Sequence, residues 1–336
     1  MTGQKHFVQR AACAAVMAIM VAVPVHAEDR VLKASHQWPG GKGDIRDEMV
    51  QIIARDVDKA NVGIKIRVYP GKSLYKPKEQ WNAMTKGELD MTAFPLAYAG
   101  GRHPEFNLTL MPGLVKNHDH AMRLNKSKFM QRIKGIMNDA GVVVLADTWL
   151  AGGFVSKKKC ILEPEDVKGQ TFRAAGAAFN EMLAGAGASI TSMPSSEIYS
   201  GLKTGVLDGA NTSSASLVSY RIYETVTCLT APGKNALWVM YEPILMSKAT
   251  FDSLNKKQQD AIMKAAAKAE KFAYKGAKEA DEKLVKAYKK AGVKVVTMSE
   301  KQAARWRAIA DKTSYKNFAD KVKGGRELLD MALSVK

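Results

Sequence analysis

The stretch Phe179–Ser214, FNEMLAGAGASITSMPSSEIYSGLKTGVLDGANTSS, decides the fold, because its second half repeats an earlier pattern. Residues Ile198–Asp208 read IYSGLKTGVLD, and Gln80–Asp90 read QWNAMTKGELD. Each runs from a helix to a glycine, two further residues and an aspartate, then into a short strand of apolar or small residues. Another helix and strand lie upstream of each: 48–59 followed by Ile64–Tyr69, and 180–184 followed by 188–193. Two similar α/β halves in one chain predict two lobes with a cleft between them, a shape that serves binding before catalysis.

The first 27 residues read as a secretory signal peptide outside the fold. Lys5, His6 and Arg10 open it, Ala11–Val25 is apolar, and Val25-His26-Ala27 closes it in small-residue style. That apolar run is shorter than the roughly 20 residues of a spanning helix. Cys13 does not sit at the cleavage end, which argues against a lipid-anchored cysteine. The expected location is the periplasm. Residues 28–336 suffice for two domains of ordinary size. Cys160 and Cys228 remain there, and in an oxidising compartment they either pair, the favoured reading, or stay as two small apolar side chains.

The formal charge is +18, much of it in the lysine-rich last third, as at Lys256-Lys257 and 286–290. A solvated helix surface explains most of it. Nucleic-acid binding would need basic residues interleaved with exposed aromatics or a recognisable module, and neither is present. A positive field does speed the encounter with an anion.

Along the chain, Val31–Ser35 reads as the first strand, with His36, Gln37 and Trp38 in the loop at its carboxyl end, where ligands of open α/β sheets gather. Trp38 reads equally well as a cover over the next helix. A second strand beginning at Met91 brings Phe94 and Tyr98 near the same opening. Residues 142–149 form a buried strand ending at Trp149, and 152–155 suit a crossing between lobes. A second crossing is expected around 225–246. From 251 to Ala291-Gly292 runs one proline-free helix whose roughly 35 residues reach about 52 Å, so it must bridge both lobes. Ser299 and Gln302 open the next helix as a capping box.

Gly169-Gln170-Thr171-Phe172-Arg173, the segment Ser195–Gly209 and Leu254–Gln259 together resemble the signature of solute-binding proteins of tripartite ATP-independent periplasmic (TRAP) transporters. The resemblance extends in order over essentially all of residues 28–336. It implies a two-lobed α/β periplasmic binding protein, type II-like, with hinge strands and a long C-terminal helix bridging both lobes. Lobe I would comprise 28–149 plus 238–277, and lobe II 150–237 plus 278–336. It further implies a receptor that closes on a small organic carboxylate and delivers it to integral membrane permease subunits, with no cofactor, metal or nucleic acid.

In that family the arginine ending the G-x-x-x-R segment grips the ligand carboxylate, and here it is Arg173. A guanidinium offers planar paired donors that match a carboxylate; an ion pair with a protein acid is the competing role. Asn211, with Thr212 as the alternative, would assist. Many members carry a second arginine where this chain has Gly152. Trp149 or Phe154 would then fill part of that space, and with Trp38, Phe94, Tyr98 and Trp238 this suggests a carboxylate with an apolar or aromatic body. His36 completes the candidate set. Asp208-Gly209 reads as turn-forming.

Two other readings compete. A binding protein of an ABC-type importer shares the two-lobe plan, but the long helix and the SSEIYSGLKTGVLDG run favour the TRAP reading. An exported enzyme acting on a small acid would need a catalytic motif, and no H-E-x-x-H or G-x-S-x-G is present. His118 and His120 could chelate a metal, although a surface turn is the simpler reading.

Overall fold

The computed structural model describes residues 1–2 and 29–336. The expected signal peptide lies outside the described residues. Among the described residues, no helix is long and apolar enough to cross a membrane.

Two sheets form the framework. The strands in chain order are β1 (Arg30–Ser35), β2 (Ile64–Tyr69), β3 (Met91–Ala93), β4 (Val142–Ala146), β5 (Trp149–Ser156), β6 (Thr171–Ala174), β7 (Ser189–Ser192), β8 (Gly209–Ser213), β9 (Cys228–Thr230), β10 (Trp238–Tyr241), β11 (Ile244–Ser247) and β12 (Lys294–Val296). The first sheet runs β2-β1-β3-β11-β4, with β1, β2 and β3 parallel and β11 antiparallel to both neighbours. The second runs β12-β9-β5-β8-β6-β7, with β10 also paired to β5. The chain passes between sheets at Asp147-Thr148 and returns at Glu242-Pro243. The two crossings are tied together, since the Glu242 amide donates to the Thr148 carbonyl at 2.9 Å.

The repeat has a physical basis. Gly87 and Gly205 both take a left-handed backbone, φ +74° and +81°, which a side chain would strain. Three residues later the aspartate locks the neighbouring strand. Asp90 N donates to Lys33 O while its carboxylate accepts from Lys33 N, and Asp208 N donates to Thr171 O while its carboxylate accepts from Thr171 N. Asp208 is therefore a structural clamp at the entry to β8.

The helix Lys256–Lys290 is continuous over 35 residues and is capped by Asn255 and Gln258 in a reciprocal box. Its small residues from Ala265 to Ala280 pack with Ile45, Met49 and Val50 of the first lobe, whereas Leu284 and Tyr288 enter the core formed by Val155, Ile198 and Leu229 of the second. Ser299 and Gln302 form the expected box on the helix Glu300–Ala310. Cys160 and Cys228 are joined in a disulfide with Cα atoms 5.1 Å apart. At the C-terminus, Phe318, Leu328 and Leu329 pack on Phe129 and Met130 of the first lobe. Strand pairing likewise puts Trp238–Tyr241 with the second sheet.

Candidate ligand-binding cleft

The carboxyl ends of β1 and β3 face those of β6 and β8 across the seam between the lobes. Arg173 stands near the end of β6, in register with Thr191 and Ala210 of its two parallel neighbours. Its side chain is fully buried. Nε donates to the Met193 carbonyl at 2.9 Å, Nη1 to the Asn211 carbonyl at 2.7 Å and Nη2 to the Tyr98 phenol at 2.9 Å. A guanidinium has five N–H groups, so one on each terminal nitrogen has no partner among the described residues. None of the three partners is a carboxylate.

Tyr98 reaches this point from the first lobe, and its oxygen also accepts from the Ser195 amide at 3.0 Å. Asn211 is fully buried, and neither atom of its side-chain amide has a partner among the described residues. Successive residues of a strand face opposite sides, and the Arg173–Ala210 register puts Thr212 on the arginine's side of the sheet.

A second charged group occupies the same seam. Arg46, in the first turn of the helix Ile45–Ala60, is fully buried and spends every N–H on protein partners. Nε and Nη2 grip the Asp44 carboxylate at 2.8 and 2.6 Å, Nη1 meets Glu242 at 2.5 Å, and Ser213 and Ser216 of the other lobe accept at 2.9 and 3.0 Å. Its guanidinium lies 4.0 Å above the Trp38 ring. Burial alone would weaken its hold on the proton, but Asp44 and Glu242 outweigh it and raise its pKa. Burial pushes the Glu242 carboxyl up, against the pull of Arg46 and, more weakly, of Arg173. Burial is also the main reason that the Tyr220 phenol is raised well above its ordinary range, with Asp44 adding to it. Tyr220 closes the seam by donating to the Gln37 carbonyl at 2.8 Å.

The other expected residues divide into two sets. His36 pairs through Nε2 with Asp47 at 3.1 Å, while its Nδ1 is buried without a partner among the described residues. Hydrogen bonds from His36 and Gly41 lower the Asp47 pKa although burial opposes them. Trp38 is packed under Arg46 and donates to Ser216 at 3.3 Å. Phe94 is core, with its ring 5.8 Å from Trp81 and 6.2 Å from Tyr98. Trp149 turns away toward the long helix; it donates to Asn125 at 2.7 Å and packs on Tyr241. Trp238 packs with Phe154 and Trp306, its Nε1 unpartnered among the described residues. The structure thus brings Arg173, Tyr98 and the Asn211 backbone carbonyl together, puts Thr212 on the arginine's face of the strand and the Asn211 side chain on the other, and leaves Phe94 and Trp149 in the packing.

Gly152 has a steric cause. It pairs with Ser213 on one side and Trp238 on the other. A Cβ there would lie 2.0 Å from the Thr212 carbonyl oxygen and 2.7 Å from the Trp238 ring. His118 and His120 do not share a site: His118 meets Asp281 at 2.9 Å and His120 the Val335 carbonyl at 2.9 Å. No metal-holding cluster occurs among the described residues.

Residues 47–321 match the family model for bacterial extracellular solute-binding proteins, family 7. The chain belongs to this family. A solute-binding protein of Albidiferax ferrireducens is 42% identical over 310 residues, covering 91% of this chain and 92% of its own. The crystal structure of a TRAP periplasmic solute binding protein from Rhodoferax ferrireducens with bound malonate is 41% identical and superposes with a TM-score of 0.87, covering 90% of this chain and 98% of that one. A TRAP periplasmic solute binding protein from Sulfurospirillum deleyianum with bound succinate shares the fold at 23% identity, TM-score 0.83, over 92% and 100% of the two chains. Family 7 members and these neighbours are binding proteins, so this chain is a two-lobed α/β solute receptor of the TRAP type.

Sequence reasoning missed Arg46, Asp44 and Glu242. Asp44 and Arg46 look like an ordinary helix start. Glu242 did leave a signal, as the lone acid inside the apolar run WVMYEPILM.

Proposed function

We propose that this family 7 solute-binding protein works in the periplasm, after removal of residues 1–27, as the receptor of a TRAP-type secondary transporter. It captures a small organic carboxylate at Arg173 and hands it to integral membrane permease subunits. The observation that carries this reading is a fully buried guanidinium whose protein partners are two carbonyls and a phenol. Taking a charge out of water costs several kcal/mol unless it meets its opposite. The two N–H groups left over, one per terminal nitrogen, suit the two oxygens of a carboxylate. Malonate in a 41% identical relative supports a ligand of that class.

The lobe division follows the two sheets, 28–149 plus most of 242–277 against 150–241 plus 278–310, with the last helix returning to lobe I. Thr212, on the arginine's face of the strand, assists Arg173 rather than the favoured Asn211, which offers its backbone carbonyl, and His36 and Trp38 hold the lobe I wall. Closure is driven by ligand contacts present only when the lobes meet, since a ligand shifts an equilibrium only by its differential affinity.

The test is titration calorimetry of Arg173→Ala and Arg173→Lys with a carboxylate that raises the melting temperature of the unaltered protein. Alanine is expected to weaken binding by about 100-fold or more, and lysine nearly as much because it lacks the fork. Unchanged affinity in the alanine variant overturns the reading.

A further inference from the structure

Two buried arginines are held by the same strand end. The Asn211 carbonyl accepts from Arg173 at 2.7 Å, and two residues later the Ser213 hydroxyl accepts from Arg46 at 2.9 Å. Ser213 also caps the short helix Ser214–Ser219, which follows β8. Ser213, Ser216 and Ser219 recur every third residue, so they lie on one face of that helix. That face meets the segment following β1. Ser216 accepts from Arg46 at 3.0 Å and from Trp38 at 3.3 Å, and Ser219 donates to the Asp44 carboxylate at 2.8 Å. Tyr220 extends the row by donating to the Gln37 carbonyl at 2.8 Å.

The charges of this contact are divided unequally. Asp44 and Arg46 open the first lobe's helix and Glu242 stands in the return crossing, whereas the second lobe answers with hydroxyls alone. If the lobes part, Arg46 keeps both carboxylates and no buried charge is stranded, which is what makes splitting an ion pair costly. Only bonds to neutral hydroxyls are exchanged for bonds to water. Beside the serine face the seam is not close-packed. A crevice of about 40 Å³ lies there, lined by Lys42 and Ile45 of the first lobe and by Ala215, Val218 and Ser219. Leu217, on the helix's other side, is buried with Val155 and Leu229, so the helix belongs to the second lobe.

We propose that the hydroxyl face Ser213–Tyr220, docked on Arg46 and Asp44, is a reversible latch that sets what fraction of the receptor is closed. The inference rests on the closing-receptor reading and deepens it: the latch touches no ligand, and it tunes affinity through the closed fraction alone.

The test uses spin labels on the exported protein at Leu74→Cys and Val206→Cys, exposed positions in different lobes. Cys160 and Cys228 are tied to each other and leave no competing thiol among the described residues. Double electron–electron resonance reads the interlobe distance without ligand, and calorimetry reads the Kd for malonate and succinate. Ser216→Ala with Ser219→Ala is expected to lower the short-distance fraction at least about fivefold. Kd should weaken by the same factor, because apparent affinity scales with the competent fraction. Tyr220→Phe, which removes only the bond to Gln37, should act in the same direction. A short-distance fraction that the serine variant leaves unchanged overturns the latch, and a lower melting temperature alongside it assigns the serines to fixed packing. A parent that shows only the long distance without ligand also overturns it. If neither acid binds while the serine variant still opens, the latch stands and the failure belongs to the carboxylate reading.

Discussion

Arg173 of the second lobe and Tyr98 of the first are joined directly: Nη2 donates to the phenol oxygen at 2.9 Å. The Ser195 amide donates to the same oxygen at 3.0 Å. One hydroxyl from lobe I thus satisfies two donors of lobe II, and only while the lobes are together.

Tyr98→Phe keeps the ring against Phe94 and removes that acceptor. Losing a hydrogen bond to a charged donor costs about 1.5–3 kcal/mol, which corresponds to about 10- to 100-fold in Kd. Calorimetry should find weaker ligand binding with little change in the melting temperature of the ligand-free protein. Equal affinity would show that closure does not run through this bond.

Gly152→Ala adds a single methyl where two strands flank one residue. The nearest obstacle is the backbone carbonyl of Thr212, which cannot rotate away. Overpacking of this kind costs about 1–3 kcal/mol or more, so the urea midpoint should drop clearly. A variant as stable as the parent would mean that the strands separate freely at the hinge.

Asp208 gives a pH signature. The hydrogen bond from Thr171 N and the ion pair with Lys158 hold its pKa below the ordinary carboxylate value. Its contribution to stability is therefore complete above the unfolded value near 4 and fades as pH falls through the lower folded value. Asp208→Asn should melt below the parent at pH 7, with the gap narrowing as pH falls below about 4. A gap that stays constant across that range would assign the loss to something other than this charge.

Much of the fold was legible because it was written twice. The glycine and aspartate spacing of 87–90 recurs at 205–208, and both copies make the same turn and the same clamp. The capping box at Ser299 marked a helix start in the same local way. The aromatic candidates were harder, since a tryptophan in an apolar strand carries no sign of which face it takes. Trp149 and Phe94 went to packing, whereas Tyr98 turned its hydroxyl to Arg173. Gly152 read as a missing arginine, but the absence of room between two paired strands is a fact of three dimensions. The Asp44–Arg46–Glu242 group joins residues 196 positions apart, beyond the reach of any local pattern.

The long helix holds the two lobes in different ways. Under the first it offers mainly methyl-sized bumps, Ala265, Ala266, Ala269, Ala273 and Ala277, while Leu284 and Tyr288 plug it into the second. The first lobe also holds it by directed bonds, since the Glu270 carboxylate accepts from the Asp147 amide at 2.8 Å, Lys268 pairs with Asp56 and Gln258 donates to the Val62 carbonyl. The helix is therefore a strut anchored at both ends, which bounds how far the halves of the molecule can part before one anchorage must give.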